Sequence, residues 1–384
     1  KVWFKANCIL QNIRFRRNWE SNLKALTFFI MFLMSMSAMA ANKIYVTQAG
    51  ASLVFDVLQD GDGNKIGNST TASTADGSAT NFNIDQVGNS NIITFDIHGD
   101  TFTGVFSLTG NSNDIDFNCD SANNTSGCDD VAATIIFEGN SANVDLDIGL
   151  SASGDNADVD IVGASGTDST VVAATIDGTS AILRLTIAGD TNNYLIDIDG
   201  NGDVNGHTLI MTQTGITADV DVVQSGSYDN IATVTTTGDS QNLDINQTAG
   251  GTIVLVSTGS TSGAVKTINI SQTGHATFAT TGDGINGAGG SFVITQTATG
   301  TINLDQNGAS GNVNLNQTGT GTITMDIDGA SGTYDIDQLN NSTLTITQDG
   351  SGADYVISQN GGSGDTIVIT NNGNSGNVDI IQRD

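Results

Sequence analysis

The chain has 384 residues with 41 acidic and 11 basic side chains, a formal charge of −30. A surface this acidic repels phosphate backbones, which excludes nucleic acid as a natural partner. Forty-seven glycines, no proline and 5% aromatics would suit a disordered chain, but the apolar residues are spaced too regularly for that.

Residues 1–40 read as an N-terminal extension with a secretory signal peptide. Arg14, Arg16, Arg17 and Lys24 form a basic region, and the apolar run 25–33 follows. Ala38-Met39-Ala40 then matches a small-residue cleavage signal. The apolar run is too short to span a bilayer, and no integral membrane segment is expected after cleavage. The remainder, 41–384, keeps Lys43, Lys65, Arg184, Lys266 and Arg383 against forty acids, all Asp but one.

From Ile44 onward one unit recurs: apolar, x, apolar, x, Gln, x, Gly. Ile44-x-Val46-x-Gln48-x-Gly50 is the first copy and Phe82-x-Ile84-x-Gln86-x-Gly88 an early one. Alternation with period two is a strand signal, because successive side chains point to opposite faces. Gly with Asn, Ser or Asp supplies the turn, since Gly accepts positive φ. Interruptions at 67–81, 120–131, 163–171 and 282–291 read as corner loops. Around the start of the second of these, Cys119 and Cys128 are spaced to close a small loop about 120–127, and a disulfide and two free thiols both remain open.

Further along, Asp197-x-Asp199-x-Asn201-Gly202 matches the first half of an EF-hand loop, with Thr208 where the closing Glu belongs. The surrounding pattern is strand and turn. Acidic solvated turns therefore compete with a weak calcium site at Asp197, Asp199 and Asn201; no other cofactor is expected. Copies then follow at Leu209–Gly215, Val220–Gly226 and Ile268–Gly274. Thr-rich outward stretches such as Thr233–Thr237 raise an ice- or carbohydrate-binding face, against which Asn and Asp are interspersed among the threonines.

The C-terminal part is the most regular. Its fifth position recurs at 296, 306, 317, 327, 338, 348, 359, 371 and 382, a step of ten to twelve. A strand of five residues cannot bury its apolar side alone, but stacked copies can. The expected fold is an all-β, two-sheet solenoid of about fourteen coils, roughly 22 residues and two short strands per coil. A buried amide is costly unless paired. Gln296, Gln306, Gln317, Gln338, Gln348, Gln359 and Gln382 are therefore expected to stack as an amide ladder, as in cross-β assemblies.

Catalytic chemistry finds no foothold in this pattern. His98, His207 and His275 each stand alone in or beside a turn, and no nucleophile–base pair or phosphate loop is evident. The expectation is a chain that is not an enzyme.

The repeat resembles the curlin repeats of bacterial functional amyloids. Gln86-x-Gly88-x-x-Asn91 and the paired units around Gln306–Gln317 and Gln348–Gln359 carry the likeness, and it spans most of 41–384, most strongly from about residue 205. Many turns carry Asp where the family has other residues, and the Asn position slips, as at Asn312. The resemblance implies a structural subunit of an extracellular, amyloid-like filament or biofilm fibre, on the surface of a Gram-negative bacterium. Its main partner would be the same chain, head to tail, with a nucleator and an outer-membrane secretion apparatus beside it. Ile44, Val46 and Gln48 at one end, and Val378, Ile380 and Gln382 at the other, would be the joining rungs. The competing expectation is a monomeric or cell-attached adhesin that binds a ligand or calcium.

Overall fold

The computed structural model describes residues 43–384 except 62, 68–71, 120–127, 150–155, 179, 200–205, 227–229, 260–264, 287–289, 309–310, 330, 362–363 and 384. The expected signal peptide, and Asn201, lie outside the described residues. What is described is all β, with twenty-seven strands and no helix.

Each strand buries alternate side chains. Thr80–Val87 reads buried, exposed, buried throughout, with Phe82, Ile84 and Gln86 inside. Such a strand needs an apolar surface opposite and a partner on either edge. Both are met by neighbouring coils, because every named pairing is parallel and, apart from irregularities after Gly163, Leu255 and Ala279, in register. The strands form two ladders that face one another across the core. In the first ladder, thirteen consecutive pairings join fourteen rungs from Leu53–Asp60 to Thr366–Asn371. The second ladder runs from Thr47–Ala49 to Gly376–Arg383. The chain is a β-solenoid, and three long strands, Ser90–Thr109, Asn156–Asp177 and Ser180–Asp199, serve both ladders by continuing around a corner.

The expected period holds at the C-terminal end, where equivalent amides are separated by 21 or 23 residues. It lengthens to 27 and 29 in early coils. The difference is taken up at corners, since the rungs themselves stay in register. All four expected loops contain some strand: Cys128–Glu138 begins within 120–131, and Ala276–Asn286 and Gly290–Gln296 reach into 282–291. Ser73–Asp76 falls within 67–81, and Asn156–Asp177 passes straight through 163–171 because its corner pairs with Gly189 and Thr191 of the next coil.

The core changes character along the axis. In early coils it is aromatic: Phe82 lies 4.7 Å from Phe95 across the core, and Phe102 lies 5.0 Å from Phe117. Cys119 and Cys128, both buried, are joined by a disulfide beside these rings. Later coils are mainly aliphatic, with Ile245, Ile294, Ile336 and Ile346 fully enclosed among fewer rings such as Phe278, Phe292, Tyr334 and Tyr355. Burying each such side chain contributes roughly 1.5–3 kcal/mol.

The expected positive φ holds at some corner glycines, such as Gly226 and Gly274 after Gln224 and Gln272, but not at all of them. Gly215 and Gly238 do not need positive φ; they need to be small. A Cβ on Gly215 would stand 1.6 Å from the carbonyl oxygen of Gly189, and one on Gly238 would stand 1.8 Å from that of Gly215. Glycine stacks on glycine because successive corners touch through their backbones. Gly274 and Gly352, with φ of 92° and 86°, do use the left-handed region.

Candidate functional site

The inward amides are the most distinctive side chains of the solenoid. Gln224, Gln247, Gln272, Gln296, Gln317, Gln338, Gln359 and Gln382 occupy one column of the second ladder. In each link the Nε2 of one residue donates to the Oε1 of the residue a coil earlier. The distances from Gln247 to Gln382 run 2.8, 3.0, 3.0, 3.1, 3.0, 2.8 and 3.4 Å. The second amide hydrogen is used as well. Gln296 donates to Thr301 O at 3.1 Å, and Gln317 donates to Gly300 O at 3.0 Å. The ladder therefore pins corner to strand while it pins coil to coil.

Gln306 and Gln348, expected in the same stack, stand elsewhere. Units alternate between the two ladders, so these two face the column from across the core, and Ile327 separates them. Tyrosines of the opposite ladder complete their hydrogen bonding. The hydroxyl of Tyr334 donates to Gln306 Oε1 at 3.2 Å, and that of Tyr355 donates to Gln348 Oε1 at 3.0 Å. The two rings stack with centroids 4.9 Å apart. Burial pushes the Tyr334 hydroxyl up to about 12 and that of Tyr355 higher still. Gln213 shows the cost of isolation: it lies between Ile187 and Thr236, and neither amide atom has a hydrogen-bond partner.

In the N-terminal coils the same column holds Ala75, Ile97, Cys119, Ile148, Ile176 and Ile198, with Gln48 at its start. Gln247 was not among the expected ladder residues. The spacing Leu243-x-Ile245-x-Gln247 is the signal that finds it.

The end rungs expose what interior rungs bury. Val378 and Ile380 are 43% and 45% exposed, whereas Tyr355 and Ile357 below them are buried. At the opposite end Ile44, Leu53, Phe55 and Val57 are only partly buried against the core. The columns match: Ile44 begins the one that ends at Val378, and Gln48 the one that ends at Gln382.

The outer surfaces carry the acids. At several rungs an Asn amide donates to the Asp one coil away, as from Asn143 to Asp114 at 2.9 Å and from Asn242 to Asp219 at 2.7 Å. Where Asp meets Asp instead, the charge is strained. Burial, and then Asp145, Asp114, Asp147 and Asp96, raise Asp116 above the ordinary carboxylate value of 3.8. Burial and the neighbouring Asp219 and Asp244 raise Asp221 likewise. A raised folded-state value means that the folded chain holds these protons more tightly than the unfolded one. Their contribution is full below the unfolded value and is lost as pH rises through the folded one. The melting temperature at low salt should therefore rise on acidification from neutral pH to about 4, and added salt at neutral pH should recover part of that gain. A melting temperature that falls steadily over this range rejects the account.

Asp197 and Asp199 lie in extended strand at the end of Ser180–Asp199 rather than in a loop, and Asp199 Oδ1 accepts from the Ser225 hydroxyl. Among the described residues no group of three or more His, Cys, Asp or Glu side chains converges. His207 is buried, its Nδ1 accepts from Ala181 N–H at 3.2 Å, and burial lowers its pKa. Comparison with family models, with curated proteins and with solved structures finds no match to this chain.

Proposed function

We propose that this chain is a structural subunit that stacks end to end into an extracellular, curli-like filament. The observation that carries the reading is the match between the first and last described rungs. A second copy placed in register sets Ile44, Val46 and Gln48 over Val378, Ile380 and Gln382, and Phe55 and Val57 over Ile367 and Ile369. It would bury side chains that the isolated solenoid leaves open and extend the backbone ladders by one more coil. The amide column supplies polarity. Every link donates toward the earlier coil, so Gln48 Nε2 of an added copy would meet Gln382 Oε1. Two different faces joined in this way propagate without closing, as a filament rather than a ring. The acidic second-ladder face disfavours contact between copies through that side. Export by the N-terminal leader and a surface or matrix location belong to the same reading.

Negative-stain microscopy of the purified chain, with and without preformed seeds, tests it. Unbranched filaments and seeded growth without a lag are expected. Rods that stay monomeric and ignore seeds would overturn the filament in favour of a monomeric surface protein.

A further inference from the structure

The two outer faces of the C-terminal coils carry different chemistry. Across the eight first-ladder strands from Thr208–Thr214 to Thr366–Asn371, threonines fall into line. Thr252, Thr277, Thr301, Thr322, Thr343 and Thr366 stack on six successive rungs with their side chains outward. A second outward column adds Thr324 and Thr345, and Val254 and Val368 lie in that column too. Among the side chains described in these strands, only Asp305 and Asp326 bring outward charge. The second ladder over the same coils points Asp219, Asp221, Asp244, Asp335, Asp337, Asp354 and Asp379 outward. The threonines are dispersed along the sequence, and only the coil period gathers them on one face.

Eight rungs at about 4.8 Å and strands of seven residues at about 3.3 Å give a surface of roughly 800 Å². That is about what one partner contributes to a stable specific interface. The face combines high β-propensity, low charge and no proline, the composition of sheets that interdigitate as dry pairs. Its occupant has to tolerate a strongly acidic rod. Two copies meeting through their second-ladder faces would oppose seven carboxylates to seven, whereas the described side chains of the threonine face would oppose two to two.

We propose that a second copy of this chain covers the threonine face, so that solenoids pair side by side, sheet against sheet. This pairing goes beyond end-to-end stacking and is independent of it.

The test places the same charge on either face. The variant Thr301→Asp/Thr322→Asp/Thr343→Asp loads the threonine face. The variant Ser291→Asp/Asn312→Asp/Thr333→Asp loads the opposite face on equivalent rungs. Circular dichroism and melting report whether each remains folded, and sedimentation reads the mass of soluble rods. The wild type and the second variant are expected as pairs and the first variant as single rods, a twofold fall in mass. Mixing the threonine-face Asp variant with the corresponding triple Lys variant should restore pairs. Wild-type rods that sediment singly, pairs that survive the threonine-face aspartates, or a mixture that stays single would each overturn the proposal. A threonine face that instead adsorbs to a carbohydrate or ice surface as single rods would do so too. Failure of end-to-end growth would leave the paired mass unchanged, so the two readings fail separately.

Discussion

Replacing Gln317 by alanine should cost the solenoid roughly 3–5 kcal/mol, whereas replacing Gln213 by leucine should stabilise it by about 1–2 kcal/mol. Both residues are fully buried amides in repeat units of the same form, so composition alone would rank them equally. Their surroundings differ. Gln317 donates to Gln296 and to Gly300 O, and accepts from Gln338. Its removal leaves Gln296 Oε1 without its donor and costs Gln338 its better acceptor, and each buried polar group so orphaned loses about 1–3 kcal/mol. The cavity left by the side chain adds to that. Gln213 has no partner for either amide atom, so leucine of similar volume removes a standing desolvation cost and keeps the packing. Gln382→Ala should cost under about 1 kcal/mol, because its single ladder link is long and its rung is open. Urea midpoints rank the three variants. Hydrogen exchange should show the Gln317→Ala loss confined to adjacent coils, since each coil touches only its neighbours. Equal losses at Gln317, Gln213 and Gln382 would mean that the amide column is incidental to stability.

This contrast marks how far the pattern of residues could be followed without coordinates. The apolar-x-apolar-x-Gln frame is legible because period two forces those side chains to one side, and repetition at fixed phase forces parallel stacking. What the frame does not reveal is which of two facing ladders a unit joins. The steps from 296 to 306 and from 306 to 317 look alike, yet each crosses the core. Gln306 and Gln348 were therefore grouped with residues they face rather than with those above and below them. The alternation was available in principle, since two units make one coil. Applied consistently, it separates 296, 317, 338 and 359 from 306, 327 and 348.

The same bookkeeping was needed for the outer surface. Read along the chain, threonine, asparagine and aspartate are mixed; read across rungs, threonine collects on one face and the acids on the other. The N-terminal coils were harder for another reason. There Phe82, Phe95, Phe102, Phe106 and Phe117 fill the core by shape, with rings reaching across from either ladder. A core filled by large rings tolerates Ala75 or Gly104 beneath them, so the repeat loosens in sequence while its register stays intact. Glycine after Gln marks a corner, as its spacing suggests, but for two different reasons: positive φ at Gly226 and Gly274, and the backbone of the preceding coil at Gly215.

The sharpest test of axial stacking is a charge placed where only a neighbouring copy would bury it. Ile380→Lys should leave the isolated rod folded and stop its elongation. In the single chain Ile380 is 45% exposed, so the ammonium can reach water at little cost. In a stack it would take the environment of Ile357, which is fully enclosed one coil below. Enclosing an uncompensated charge costs several kcal/mol. At 1.4 kcal/mol per tenfold, that predicts an elongation equilibrium weaker by at least about a hundredfold. The critical concentration of seeded growth measures this directly. Ile357→Lys separates the two effects, because the same charge inside an existing coil should collapse the fold itself. Melting that is unchanged in Ile380→Lys and lost in Ile357→Lys fixes the first defect at the contact rather than in the rod. If Ile380→Lys elongates as well as wild type, the open rung is not where copies meet, and end-to-end stacking through Val378, Ile380 and Gln382 is wrong.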